Sequence, residues 1–348
     1  MKKIKALCLF SGGLDSVLVI KILQKQKINV TALIFKSCFF KEEKAVAVVK
    51  KLKIKYLVKN ISDEHLKMIK NPKYGYGSAM NPCIDCHLMM IKKAGEFINL
   101  LLISPLKMGR DFDFDFIATG EVLGQRPMSQ NKQSLKLIEK KSKIKGYLLR
   151  PLCAKLLEPT ILEEQGLIKR EKLLDISGRS RKRQIELAKK YKIKNYETPA
   201  GGCLLTDSEF GKRLKKLFEI NLDCDKNDIE LLKIGRHFWK KSQIKTLTYN
   251  ADQNDEKQSQ GVCKIVVGRD KNENEKLEKL AQKKDVLIKM KNYSGPTTLI
   301  RSYTNKISKI ILEKAKELTQ YYSTKARDKN DVEFLNNNNN NNNNNFNK

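Results

Sequence analysis

The chain opens with a short apolar run, residues 4–10, that stops at Ser11-Gly12-Gly13. Residues 15–26 then carry Val17, Ile20, Ile22 and Leu23 at helical spacing. Strand, glycine turn, helix is the parse this pattern favours. Residues 29–35 form a second buried-strand pattern, 42–52 a second helix and 55–58 a third strand, the rhythm of a parallel sheet covered by helices. Residues 71–81 hold Pro72, Gly75 and Gly77 and read as a loop, followed by a helix over 83–98. Further strands are expected at 112–119 and 147–152, a basic helix at 179–192, and a sharp turn at Pro199-Ala200-Gly201-Gly202.

From about residue 223 the chain becomes more polar, with short strand patterns at 231–234, 264–267 and 286–290 and a helical period over 307–322. The expected architecture is α/β, a doubly wound parallel sheet with a small C-terminal α+β domain. The expected divisions are 1–220, 221–305 and a helical tail at 306–348. Ten consecutive asparagines, Asn336 to Asn345, cannot bury apolar area and are expected to be disordered. Parallel sheets place ligands at the carboxyl ends of their strands, so residues 11–16 are the first place to seek chemistry.

Composition narrows the classes. In 348 residues there are 70 Lys and Arg against 39 Asp and Glu, a formal charge of +31, which suits a polyanionic partner. Only 12 of the basic residues are Arg, so a Lys-rich and Asn-rich bias explains the charge about as well. No apolar stretch approaches the ~20 residues a membrane span needs, and the first ten residues do not form an export signal. A cytoplasmic location is therefore expected, where the eight cysteines serve as thiols rather than disulfides.

Ser11-Gly12-Gly13-Leu14-Asp15-Ser16 sits where a strand meets a helix, so flexible backbone and free amides can wrap a phosphate group. It lacks the Lys of the Walker pattern. A carboxylate beside phosphates repels them unless a cation lies between, which makes Asp15 a candidate Mg²⁺ or water-shell ligand. Asn81-Pro82-Cys83-Ile84-Asp85-Cys86-His87 places two thiols at a helix start, able to hold one metal centre or form one redox pair. Haem attachment, which the Cys-x-x-Cys-His spacing also allows, normally accompanies export and is not expected. A four-thiolate zinc site wants a second close Cys pair, which the sequence lacks. Cys203 follows Gly201-Gly202, and two thiols plus one would hold an iron–sulfur cluster by three corners; a buried core thiol is the plainer alternative for Cys203. Cys8, Cys38 and Cys153 are expected in the core.

The first of these segments resembles the PP-loop of the N-type ATP pyrophosphatases, whose Ser-Gly-Gly-x-Asp-Ser pattern it matches at every position. The resemblance implies an adenine nucleotide alpha hydrolase-like fold and cleavage of ATP between its α and β phosphates. PP-loop, Cys-x-x-Cys and a later single Cys together resemble the tRNA thiolation enzymes of that class. Ala118-Thr119-Gly120-Glu121 looks like their Ala-Thr-Gly-His segment, with Glu121 where many have His. Gly124-Gln125-Arg126-Pro127-Met128-Ser129-Gln130, Arg150-Pro151-Leu152 and Gly178-Arg179-Ser180-Arg181-Lys182 resemble a thiouridine-synthetase-like branch. Ile234-Gly235-Arg236-His237-Phe238, Val267-Gly268-Arg269-Asp270, Glu273-Asn274 and Ser294-Gly295-Pro296 resemble the RNA-binding domain of NFACT-type proteins.

These resemblances imply an ATP-dependent tRNA sulfurtransferase that adenylates a uridine carbonyl and replaces its oxygen by sulfur. ATP would contact Ser11, Gly12, Gly13, Asp15, Ser16, Thr119 and Gly120, with Mg²⁺ at Asp15. Cys83, Cys86 and Cys203 would hold a 3Fe-4S or 4Fe-4S cluster or carry a persulfide, Asp15, Cys83 and Cys203 being the catalytic candidates. Arg126, Arg179, Arg181, Lys182, Arg236 and Arg269 would meet RNA, a salt-bridged structural role being the alternative for Arg126 and for Arg150. The expected partners are tRNA and a sulfur donor, either a cysteine desulfurase or sulfide, with a homodimer left open. Two other classes stay in play: a PP-loop ligase acting on a small molecule, and a non-catalytic RNA-binding factor.

Overall fold

The computed structural model describes residues 3–98, 114–194, 196, 203–244, 259–303 and 307–338. The chain divides into two compact units, 1–211 and 212–348. In the first, the order is β1 (Lys5–Leu9), α1 (Leu14–Lys25), β2 (Asn29–Lys36), α2 (Glu43–Lys51), β3 (Lys55–Asn60), α3 (Ser62–Lys70), α4 (Cys83–Gly95), β4 (Phe116–Ala118), α5 (Lys132–Ser142), β5 (Leu148–Leu149), α6 (Ile161–Glu164) and α7 (Lys182–Lys190). The strands form one sheet in the order β3-β2-β1-β4-β5, and every pairing is parallel.

A parallel sheet needs helices on both faces, and β1 shows why the sequence folds so: Ala6, Leu7 and Cys8 are all fully buried, on alternating sides. Ala6 and Cys8 join the cluster containing Val17, Ile20 and Val49, while Leu7 joins Leu33, Ile91 and Ile117 on the other side. Helix α1 is buried at Leu14, Val17, Leu18, Val19, Ile20, Ile22 and Leu23, and α7 packs against it. Burying such a side chain stabilises by ~1.5–3 kcal/mol. Strand order reverses between β1 and β4, so the crevice beyond their carboxyl ends is where this fold takes ligands.

Helix α8 (Ser208–Ile220) leads into the second unit, followed by α9 (Lys226–Leu231), β6 (Arg236–Ile244), β7 (Ser259–Val267), α10 (Lys271–Leu280), β8 (Val286–Met290), β9 (Thr298–Ser302), α11 (Lys309–Tyr321) and β10 (Phe334–Asn338). Its sheet runs β10-β8-β9-β7-β6, all antiparallel. Alternation sorts the faces: Cys263, Ile265 and Ile300 pack with Ile311 and Ala315 of α11, and Val266 and Leu299 pack with Leu231 of α9 and Leu277 of α10.

The architecture is the doubly wound parallel sheet plus C-terminal α+β unit that the pattern predicts. Several elements differ in detail. Residues 231–234 do not form a strand: an Asp225–Asp228 capping box starts α9 instead, and the strand begins at Arg236. Residues 307–338 are no appended tail, because α11 packs on the sheet and β10 pairs with β8. Asn336, Asn337 and Asn338 thus join a strand rather than a disordered run, held by main-chain bonds that ask nothing of the side chain. Asn339 to Asn345, residues 112–113 and the Pro199–Gly202 turn lie outside the described residues. No helix among them is long and apolar enough to cross a membrane.

Candidate nucleotide and thiol site

At the end of β1, Gly12 takes φ +79°, and a Cβ there would sit 3.0 Å from Ala45 Cα, so only glycine lets the loop pass α2. Ser16 Oγ donates to Gly13 O at 2.8 Å and closes the turn. At the end of β4, a Cβ on Gly120 would lie 3.0 Å from Ser16 N, which brings the Ala118–Glu121 segment against the loop. Ser11, Gly12, Gly13, Asp15, Ser16, Thr119 and Gly120 therefore meet in the crevice at the strand-order reversal.

Asp15 is the electrostatic centre of that crevice. Its Oδ2 accepts from Arg181 Nη2 at 2.8 Å and Gln125 Nε2 at 3.1 Å. Asp15 Oδ1, Gln125 Oε1 and Arg181 Nε are buried without hydrogen-bond partners, and Gln130 Oε1 is in the same condition. Buried polar atoms left unpaired cost ~1–3 kcal/mol each, so a cluster of them beside a phosphate-type loop is what a ligand would satisfy. Arg181 is thus set on Asp15 instead of joining a surface cluster, whereas Arg126, Arg179 and Lys182 are exposed.

Behind the loop, Glu121 is fully enclosed. Thr119 Oγ1 and Arg150 Nε donate to its Oε2 at 3.0 and 2.9 Å, and His87 Nδ1 lies 2.7 Å from its Oε1. Burial works to raise its pKa, but the Arg150 charge and the His87 bond pull it down to about 2. Arg150 also reaches Glu139 at 3.0 Å, tying β5 to α5. Arg150 is therefore a structural cation, and the His of Cys-x-x-Cys-His anchors α4 to the end of β4.

Cys83 and Cys86 occupy the first turn of α4, and Cys203 precedes Leu204, whose N donates to Phe39 O at 3.2 Å. The three thiols bear on one another: burial lifts Cys86 well above its usual range, with Cys203, Cys83 and Asp85 adding to the rise. Burial likewise lifts Cys203 to about 11, with Cys83 contributing. His65, which the sequence did not single out, lies with Nε2 3.0 Å from Cys86 Sγ and Nδ1 2.7 Å from Ser37 Oγ. Phe39 N donates to that Ser37 oxygen, leaving the hydroxyl proton for Nδ1 and placing the ring proton on Nε2, facing sulfur. Burial lowers the His65 pKa to about 4, so the ring is neutral. Asn81 Nδ2 donates to Cys83 Sγ at 3.3 Å. Among the described residues no three His, Cys, Asp or Glu side chains converge as ligands of a single ion. Cys8 and Cys153 are buried, and burial raises them to about 12 and about 11.

In the second unit, Arg236 is half-buried with its guanidinium 4.5 Å from the Tyr322 ring, and Arg269 is exposed and paired with Glu273. An open pocket of about 390 Å³ between α1 and α7 is lined by Lys21, Lys25, Lys190, Lys192 and Tyr191, at the end of α1 away from the loop.

Residues 4–194 match the family model of the tRNA methyl transferase HUP domain, and residues 258–348 match that of the NFACT protein RNA binding domain. No curated protein matches the chain. Among solved structures, a predicted subunit of tRNA methyltransferase from Methanocaldococcus jannaschii aligns at 17% identity over 42% of this chain and 68% of its own, with a TM-score of 0.31. The U34-tRNA thiolase NcsA from Methanococcus maripaludis with its 4Fe-4S cluster aligns at 17% over 66% and 72%, with a TM-score of 0.27. The NMN synthetase from Francisella tularensis aligns at 13% over 57% and 90%, with a TM-score of 0.26. With the PP-loop matched in full and the first model spanning more than half its length, the chain belongs to the tRNA methyl transferase HUP-domain family, a PP-loop family of tRNA modification, and carries an NFACT-type RNA-binding match at its C-terminal end.

Proposed function

We propose that this protein is an ATP-dependent tRNA sulfurtransferase. ATP is the substrate of the crevice between Ser11–Ser16 and Thr119–Gly120. The uridine carbonyl oxygen attacks the α-phosphorus, the bond to the bridging oxygen breaks and pyrophosphate leaves, so the base carries AMP on oxygen. Sulfur then attacks that ring carbon and AMP departs with the oxygen. Amides of the loop and Arg181 face the charge that develops on the phosphates, and Gln125 orients Asp15.

Asp15 fits a Mg²⁺ ligand through the buried oxygen that has no partner, and the ion when bound would neutralise the phosphates. The thiols fit a multi-iron cluster better than a single ion, because a cluster takes its thiolates at separate corners. Cys83, Cys86 and Cys203 would hold it, and an iron with an open position would supply a place for sulfide. The alternative sulfur carrier is a persulfide on one of these thiols, fed by a cysteine desulfurase: its outer sulfur attacks the ring carbon, a second of the thiols attacks the S–S bond to free the thiolated base, and an external thiol reduces the disulfide that results. His65 and Asn81 place ring and amide nitrogens against Cys86 and Cys83, so a cluster-bound or persulfide sulfur at these positions would meet hydrogen-bond donors.

The observation that carries sulfur transfer, over a PP-loop ligase of small molecules, is that Cys203, distant in sequence, lies within electrostatic reach of the Cys83–Cys86 pair. The exposed Arg126, Arg179 and Lys182, together with the four pocket lysines, support RNA as the partner. The test is mass spectrometry of tRNA nucleosides from cells lacking the gene and from cells complemented by the parent or by Cys203→Ser. Loss of one thiolated uridine, restored only by the parent, is the expected result. An unchanged nucleoside profile with intact ATP turnover would instead favour the small-molecule ligase.

A further inference from the structure

The face of the second sheet that packs under α9 and α10 carries a polar row. Cross-strand register pairs His237 with Val266 and Trp239 with Lys264 on β6 and β7, and Lys264 with Arg301 on β9. Directly opposed residues share a face, so His237, Trp239, Lys264 and Arg301 lie side by side. Arg301 is fully satisfied: it donates to Asp285 through Nε and Nη2, to Asp228 through Nη1 at 2.9 Å, and to Leu280 O. The two carboxylates are thereby committed, Asp228 also accepting from the Tyr303 hydroxyl at 3.1 Å and from the amide of Asp225.

Lys264 has no such partner. It is fully buried, and its Nζ makes no hydrogen bond; the Trp239 ring centroid lies 5.4 Å away. Both ring nitrogens of His237 are buried without a partner in good hydrogen-bond geometry, the Leu232 backbone being near enough to bear on the ring, and Arg213 Nε is buried and unpartnered. Arg213 lies near enough for its charge to bear on both His237 and Lys264. On Lys264 and Arg213 together, the three ammonium N–H groups and the Nε–H meet no acceptor. The charged groups that bear on Lys264 are Asp228, Arg301 and Arg213, two cations to one carboxylate. Burying unpaired donors is costly, and an oxyanion would meet that cost for all three residues at once.

We infer that Lys264, His237 and Arg213 form a binding site for a phosphate group, with Trp239 as its wall. The shared chemistry is that of a phosphate oxyanion, whether free or part of an RNA chain. Trp239, Arg213 and His237 are half-buried while their binding atoms are buried, so an oxyanion would enter where these three side chains meet solvent.

Trp239 is the sole tryptophan, so its fluorescence reports the site directly in the full-length protein. Titration with inorganic phosphate, or with a 5′-hydroxyl oligoribonucleotide, should give a saturable change in that signal. Lys264→Met, which keeps the length of the side chain and removes the amine, should weaken the response at least 10-fold, and His237→Ala should weaken it as well. Response to inorganic phosphate alone assigns the site to the free ion; response to the oligonucleotide, displaced by inorganic phosphate, assigns it to the RNA backbone. A flat or unsaturable signal with both probes overturns the inference, as does equal binding by Lys264→Met. Folding gives a second check: in phosphate-free buffer Lys264→Met should melt above the parent, and a lower melting point would mean that the amine serves Asp228 instead. None of these readings depends on tRNA thiolation, so this site and the proposed reaction stand or fall separately.

Discussion

Glu121, just past β4 in the N-terminal unit, and Lys264, on β7 in the C-terminal unit, are both buried ionisable groups, yet their surroundings are opposite. Glu121 meets Arg150, His87 and Thr119, and holds its charge down to about pH 2. Lys264 meets no hydrogen-bond partner, and burial drops its pKa from the ordinary 10.5 to about 7. In the first unit the unsatisfied atoms include those of Asp15, Gln125 and Arg181 beside the loop, with others on Gln26, Gln130 and Gln184. In the second they adjoin an equally complete network, that of Arg301. Each unit thus has a finished ionic framework and buried polar groups left unsatisfied, a condition that a ligand can relieve.

The largest effect should come from the unfinished group of the first unit. Asp15→Ala removes the carboxylate that Arg181 and Gln125 orient, and pyrophosphate release with ATP and tRNA should fall at least ~10³-fold, roughly 4 kcal/mol of barrier. tRNA affinity should stay within ~3-fold of the parent in a filter-binding titration. An equal loss of both would mean a general failure of the fold.

Next in size is the finished framework. Arg150→Met leaves the Glu121 carboxylate buried without its cation, and breaking such a pair costs ~3–5 kcal/mol in urea unfolding. Arg150→Met combined with Glu121→Gln should recover most of that loss. The pair also sets an acid limit: Glu121 falls from an ordinary 4.5 to about 2 on folding, so its contribution is present above about pH 4.5 and is lost as the pH drops toward 2. In the double variant that part of the acid dependence should vanish.

The sequence made the local parts of both units readable and left the long-range parts hidden. Ser11 to Ser16 is contiguous, and the apolar runs around it fix β1 and α1, so the loop and its place at a strand end follow from pattern alone. Asp15 and Arg181 are 166 positions apart, and no local rule brings them together; Arg181 looked like its exposed neighbours Arg179 and Lys182. Glu121 stood out as a departure, but its meaning needed Arg150 and His87 to arrive from β5 and α4. His65 gave no signal because a single His on an amphipathic helix is ordinary. In the second unit β6 escaped notice because His237, Phe238 and Trp239 alternate under a run of lysines, and residues 231–234 read as a strand because four apolar-rich positions fit a helix end equally well.

A smaller effect sharpens the contrast through pH. Between about pH 7 and 10.5 the Lys264 amine is neutral when folded and protonated when unfolded, so the unfolded chain binds more protons and stability rises with pH, by ~1.4 kcal/mol per unit at most. Below about pH 7 both states carry the proton and the slope disappears. The unfolding transition seen by Trp239 fluorescence should show this slope in the parent and lose it in Lys264→Met. Parallel curves for the two proteins would remove Lys264 from the class of uncompensated charges.

The smallest change concerns a charge that is neither buried nor unfinished. Arg269 is more than half exposed and lies against Glu273, whose carboxylate also accepts from the backbone amides of Gly235 and position 269. Removing the guanidinium leaves those two backbone bonds in place, so Arg269→Ala should cost less than ~1 kcal/mol of stability, as exposed pairs do. If Arg269 meets an RNA phosphate, the same variant lowers affinity uniformly across sequences and reduces the slope of log affinity against log salt by about 1. Arg236 provides the control, because its guanidinium packs on Tyr322 and donates to Gly268 O at 3.4 Å, so Arg236→Ala should lose packing as well as any phosphate contact. A salt slope unchanged in Arg269→Ala but lowered in Arg236→Ala would place the RNA path on the Tyr322 side of the sheet edge and leave Arg269 to its helix.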